Sequence, residues 1–383
     1  MADTAYGVNA NEAVKLWSAK LAREALKKTY LKNFMGEGSD SLIQVRNETN
    51  KGPGDRIRIT LRMQLTGRGI IGDGTQEGNE ESLTTFTDDL IINQLRHAVR
   101  SEGKMTEQRI PFNIRSEAMM GLSDWWASRW DIWGFYHLAG FTPGNAVSTG
   151  DFDTDSTGPE FNGHNTIVAP SRQVFPSNVA GTAYTTDEGI AAGATPGAEY
   201  AAAAFSLLMI DKAVERAKVG SLTGVVPIRP VKVDGKDYFV VFLHPYQVTD
   251  LRTSGSASTV TWFGIHSSEM QGGKLADNPI FTGALGIYNG CILHESVHVP
   301  EGVNSTLGTT VAGVRRAVLC GAQSLLCGFG QGHDETSYSW FEQLFDYGNK
   351  LGVKAGCIAG LKKARFNSQD FGTVVMSSAA APH

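Results

Sequence analysis

Arg56-Ile57-Arg58-Ile59-Thr60-Leu61-Arg62-Met63-Gln64-Leu65-Thr66 alternates with a period of two: Ile57, Ile59, Leu61, Met63 and Leu65 fall on one side, and Arg56, Arg58, Thr60, Arg62, Gln64 and Thr66 on the other. Successive side chains of an extended chain point to opposite faces, so the stretch predicts a half-buried strand. A glycine-rich turn follows (Gly67, Gly69, Gly72, Gly74, Gly78), then a second extended segment over 83–92. Together they predict a long hairpin with arms of opposite charge. Residues 51–69 hold five bases (Lys51, Arg56, Arg58, Arg62, Arg68) and one acid, Asp55, whereas 73–89 hold six acids and no base. A two-stranded ribbon has no core of its own, so its apolar stripe needs a cover. On the other face Arg56, Arg58 and Arg62 would set register through ion pairs.

Working outward, residues 11–35 read as an exposed helix: Asn11 can cap it, and Val14, Trp17, Leu21 and Ala25 recur at helical spacing up to Gly36 and Gly38. Its polar side is basic, and Lys15, Lys20, Lys27 and Lys28 are the candidates to face an acidic neighbour or nucleic acid. On the other flank, Pro111 precedes a helical pattern over 114–138 that puts Met119, Leu122, Trp126, Trp130 and Trp133 on one stripe. Four of the seven tryptophans lie there, a density that implies packing along most of the helix.

Residues 141–200 are rich in Gly, Ala, Ser, Thr, Pro and Asp and read as a long surface excursion. A helix over 200–219, a buried strand over 238–243 and a short helix after Pro245 then predict a mixed α/β unit. Residues 315–327 and 338–375 alternate apolar strands with glycine turns and are expected to fold back onto the earlier sheet.

The composition bounds the function. A chain of 383 residues suits two or three structural units, and 41% hydrophobic with 19% charged residues can bury a core. Forty-four glycines imply turns and close backbone approaches. A net charge of −5 gives no general argument for nucleic-acid binding, so any such role must be local. Cys291, Cys320, Cys327 and Cys357 form no C-x-x-C pair and read as buried thiols in a reducing compartment. The beginning shows no charged leader with an apolar core, and no stretch is long enough for a membrane span, so a cytosolic protein is expected.

Three motifs point toward chemistry and fail on context. His294-Glu295-Ser296-Val297-His298 matches the zinc-hydrolase pattern, which needs a helix to bring its histidines together; Gly290-Cys291-Ile292-Leu293 before it and Val299-Pro300 after it favour a strand. In an extended chain the imidazoles would stand about 13 Å apart, beyond the reach of one zinc ion. Gly67-Arg68-Gly69-Ile70-Ile71-Gly72 matches a dinucleotide fingerprint but runs into an acidic turn rather than a helix. Asp151, Asp153 and Asp155 begin like a calcium loop, yet Ser156 and Asn162 stand where glycine and glutamate are needed, leaving at most a weak ion site. No catalytic, cofactor or metal residue is assigned.

The order of elements, an N-terminal arm, a long hairpin, a long helix and a mixed outer unit, resembles the Hong Kong 97-type capsid fold. Leu90-Ile91-Ile92-Asn93-Gln94-Leu95-Arg96-His97-Ala98-Val99, Arg316-Ala317-Val318-Leu319-Cys320-Gly321-Ala322-Gln323, and Asp346-Tyr347-Gly348-Asn349 leading to Gly360-Leu361-Lys362-Lys363-Ala364-Arg365-Phe366 are similar to the N-four-like family of tailed-phage major capsid proteins. The resemblance implies an α+β fold with an arm (1–50), an extended hairpin loop (51–100), a peripheral domain with spine helix and surface insertion (101–204), an axial domain (205–315) and return strands (316–383). It implies a non-enzymatic subunit that joins copies of itself in pentamers and hexamers around double-stranded DNA. Portal, scaffolding and decoration proteins would be its partners, no membrane would be involved, and assembly would take place in the host cytoplasm. By the same resemblance Arg56, Ile57, Arg58, Ile59, Leu61, Arg62, Met63 and Leu65 would touch a neighbouring subunit; the charge of the basic arm places it on the inner surface as an expectation, where its lysines would soften repulsion from packaged DNA. Two other readings remain: a metal-dependent hydrolase built on His294, Glu295 and His298, and a nanocompartment shell of the same fold.

Overall fold

The computed structural model describes residues 29–47, 54–62, 69–75, 77–109, 113–142, 163–192, 198–219, 226–233, 235–253, 284–306, 308–330 and 338–382. In chain order the elements are β1 Met35–Gly36, β2 Ile43–Arg46, β3 Arg56–Arg62, β4 Thr85–Ile91, β5 Asn93–Arg100, α1 Lys104–Arg109, α2 Ile114–Ala139, β6 Gln173–Val174, α3 Asp187–Ala192, α4 Ala198–Ala203, α5 Leu207–Val219, β7 Val231–Val233, β8 Lys236–Leu243, α6 Pro245–Thr253, β9 Ala284–Tyr288, β10 Cys291–Glu295, β11 Glu301–Val303, β12 Thr310–Cys320, β13 Leu325–Phe329, β14 Ser339–Phe345, β15 Lys350–Lys363, β16 Arg365–Phe366, β17 Gln369–Asp370 and β18 Thr373–Ala379.

Two mixed sheets share the long helix α2. The larger runs β6-β18-β12-β8-β10-β9, with β11 beside β12 and β7 beside β8. Its central strands are apolar on both faces over 239–243, 317–320 and 374–376, where both faces are covered. Val240, Phe242, Val318, Cys320 and Val375 face the core around α2, whereas Val241, Leu243, Ala317, Leu319, Val374 and Met376 face the core under α5 and α6. The smaller sheet is organised by the long strand β15, which pairs with β14 over residues 350–356, with β13 over 359–363, and along its middle with β5.

The tryptophan stripe fills its expected place. Trp126, Trp130 and Trp133 are buried against the smaller sheet, and the Trp130 Nε1 donates to the Tyr338 hydroxyl at 2.9 Å. Asn113 caps the helix start by accepting from the Arg115 amide, and Gly140 ends it at φ 61°, a left-handed turn that suits glycine. The Arg316 guanidinium, buried beside Asp187 at 2.7 Å, donates to the Gly140 carbonyl and so closes the helix C-terminus.

Three expectations are corrected. The helix expected to run to residue 35 gives way to a single 3-10 turn, Leu31–Phe34, and then to β1, because the Tyr30 and Leu31 amides are taken by Asp131 and Met35–Gly36 pairs with β2. Residues 1–28 lie outside the described residues. The surface excursion expected over 141–200 is not one over 163–192, where Asn165, Ile167, Arg172, Val174, Asp187 and Ile190 are buried. The single helix expected over 200–219 is broken into α4 and α5 around Phe205, whose side chain enters the core.

Candidate assembly surfaces

The hairpin is a separate two-stranded sheet in which Arg56 stands opposite Ile91 and Arg62 opposite Thr85. The opposite charges of its arms meet across the ribbon. Arg58 Nε and Nη2 lie 2.8 and 3.0 Å from the two Asp89 oxygens, a bidentate pair between facing residues. The guanidinium holds the Asp89 carboxyl below its ordinary range and raises Arg58 in turn. Arg56, Arg58 and Arg62 all remain exposed.

The apolar stripe is covered at its base by the chain itself. Ile57 is buried among Leu90, Ile92, Leu326, Ala364 and Phe371, and Ile59 and Leu61 pack at the margin of that cluster. The need for a neighbour therefore moves outward from Ile57. Met63 and Leu65 lie outside the described residues, as do Lys15, Lys20, Lys27, Lys28 and the Asp151 region. Beyond the gap, the distal ribbon is exposed throughout 71–75 and 77–85, with Ile71 and Leu83 open to solvent.

Polar groups anchor the ribbon base. Asn165 accepts the Ile91 N–H at 2.9 Å and donates to the carbonyls of Ile91, Gly163 and Leu361, acting as a side-chain rung between β4 and β15. Lys362 is paired with Asp88, which also accepts the Arg365 amide. Asn165 was not a candidate from sequence: a lone polar residue in a Gly/Asn-rich stretch carries no signal of burial.

The strand expected for the His-Glu-x-x-His segment holds as far as Glu295; Val297 and His298 lie in a turn after it, so the motif is neither a helix nor extended throughout. Cys291–Glu295 is a strand beside β8, and His294 contacts the rings of Phe34 and Phe242 at 5.1 and 6.1 Å. His298 stacks on Phe135 instead, and Glu295 is exposed. Burial lowers the His294 pKa. Among the described residues no group of three or more His, Cys, Asp or Glu side chains is placed to hold a metal ion. The four cysteines form no disulfide and are buried, and burial pushes the Cys291 thiol up to about 12.

Residues 5–382 match the family model described as phage capsid protein. The major capsid protein of Pseudomonas phage KPP25 is 29% identical over 401 residues, which span 97% of this chain and 96% of that protein. The capsid of Ralstonia phage GP4 superposes with a TM-score of 0.71 at 28% identity, covering 100% of this chain and 99% of its own. The capsid of Cyanophage Pam1 superposes at 0.67 with 24% identity over 100% of both chains, a likeness of fold.

Proposed function

Since the chain belongs to the phage capsid protein family and is a phage major capsid subunit of Hong Kong 97-type α+β fold, we propose a specific division of labour for its parts in the shell. Self-association is its function. The segment 205–315 meets its copies around the five- and six-fold axes of pentamers and hexamers, α2 and the smaller sheet form the peripheral part, and the hairpin reaches a neighbouring subunit through Ile59, Leu61 and the residues beyond them. The arm, with Lys15, Lys20, Lys27 and Lys28, faces the packaged double-stranded DNA, where local positive charge offsets a chain that is negative overall. Portal, scaffolding and decoration proteins complete the set of partners, and assembly takes place in the host cytoplasm. The metal-hydrolase alternative has no support in the family match.

One observation carries this reading. Among the described residues the ribbon's strands pair only with each other, and Ile71 and Leu83 at its distal end are 94% and 59% exposed in the single chain. A ribbon with so little local core is ordered by a partner. Sedimentation and electron microscopy of purified protein test it: rings, sheets or shells are expected, and a stable monomer at high concentration would contradict it.

A further inference from the structure

Arg172 is fixed in the interior by the chain between α2 and α3, where its carbonyl accepts the Val375 amide and the preceding Ser171 donates its amide N–H to Asp370 at 2.9 Å. The residue is 4% exposed. Its Nη2 donates to the Val226 carbonyl at 2.6 Å, whereas Nε and Nη1 are buried and meet no acceptor among the described residues. A guanidinium does not shed its proton, so two unanswered donors and a positive charge are buried together.

The acids around it are already taken. Asp370, fully buried, lies 3.0 Å from Lys363 Nζ and 3.1 Å from Arg365 Nε, and Asp88 is paired with Lys362. Three cations, Lys363, Arg365 and Arg172, therefore share the single carboxylate of Asp370, and Arg216 adds further positive charge near Arg172. The segment leading into Val226, residues 220–225, holds no acidic side chain. An excess positive charge buried without a counter-charge is strongly unfavourable, so the site calls for an anion.

Arg172 and Asp370 line a cavity together with Leu61 and Phe86, which face each other across the hairpin, and with Phe366 and Asn367 at the β16–β17 turn. The cavity measures about 20 Å³, room for one water-sized body, which needs roughly 10–15 Å³, and too little for a polyatomic anion such as phosphate. We propose that it binds a single monatomic anion of the chloride class, held by Nε and Nη1 of Arg172. A water molecule there would answer the donors and leave the charge; a halide answers both. Leu61 and Phe86 belong to the hairpin and the other walls do not, so the site is complete only while the hairpin base is seated, and the anion favours that seated state by mass action. The site lies within one chain and does not depend on assembly.

The test is chloride NMR line width and limited proteolysis of the purified chain, with sodium chloride exchanged for sodium gluconate at constant ionic strength. Saturable broadening of the chloride line, displaced by bromide, is expected. Cleavage within 80–93 should be at least about threefold slower in chloride than in gluconate. Asn367 is an exposed part of the cavity lining, so Asn367→Asp sets a negative charge beside the anion without entering a core. That change is expected to raise the chloride concentration for half-effect at least about tenfold, and Arg172→Met to abolish the effect. Should Arg172→Met lose its fold by circular dichroism, Asn367→Asp alone decides. Equal cleavage in the two salts would overturn the site, as would broadening that both variants retain, the mark of an adventitious ion only. Phosphate that protects as well as chloride would overturn the monatomic assignment.

Discussion

The Asp131 carboxylate on α2 accepts the backbone N–H of Leu31 at 3.0 Å, 100 residues earlier in the chain, and that of Tyr30 at 2.9 Å. The carboxylate is buried, so this clasp fixes the end of the N-terminal arm on the long helix. Removing it by Asp131→Ala leaves the buried Leu31 donor without a partner, at about 1–3 kcal/mol, and the part-buried Tyr30 donor at a smaller cost. The expected result is a lower denaturant midpoint together with proteolytic cleavage near residues 29–36 under conditions where wild-type protein resists.

Burial raises the Asp131 pKa, against the opposing effects of the two amides and of His298. Tyr30 and Glu295 are the other ionisable groups facing the site. The folded chain therefore holds this proton more tightly than the unfolded chain. The group's contribution to stability is fullest below the ordinary carboxylate range, and is lost as pH rises from that range through the raised folded value. Asp131→Asn removes the titration, so the stability of wild-type protein relative to this variant should fall across that window and then level off. A difference that is flat with pH, measured by denaturant melts, would contradict it.

Arg316 and Asp187 form a buried pair that also holds the Gly140 carbonyl and the Val303 amide. Replacing one partner leaves the other charge buried and uncompensated, so Arg316→Met is expected to cost about 3–5 kcal/mol. Equilibrium unfolding measures this, and a loss under about 1 kcal/mol would show that water reaches Asp187 and replaces the pair.

Gly360 lies under the hairpin base, where any Cβ would meet the Ile91 carbonyl. Gly360→Ala should lift β4 from β15 while both large cores remain. Limited proteolysis is expected to cut within 80–93 faster than in wild-type protein, with little change in circular dichroism.

The elements that were legible in sequence are those in which one physical rule dominates. Alternation set β3, and Pro111 with the tryptophan stripe set α2. The strap at 163–192 was not legible, because its burial depends on Asn165, Arg172 and Asp187 satisfying polar groups from distant strands, and their types alone read as surface. The stripe from Ile57 onward was legible as a surface that needs covering. That Leu326, Ala364 and Phe371 cover its base depends on tertiary folding, which no local pattern encodes.

The central claim is that this subunit works by assembling through its hairpin, and Ile59→Asp with Leu61→Asp tests it most directly. Both side chains are only partly covered within the chain, so the change removes apolar contact beyond Ile57 without entering either large core. Electron microscopy and sedimentation, with circular dichroism as the folding control, should show closed shells for wild-type protein and only folded, unassembled subunits for the double variant. Normal shells from the double variant would contradict the account.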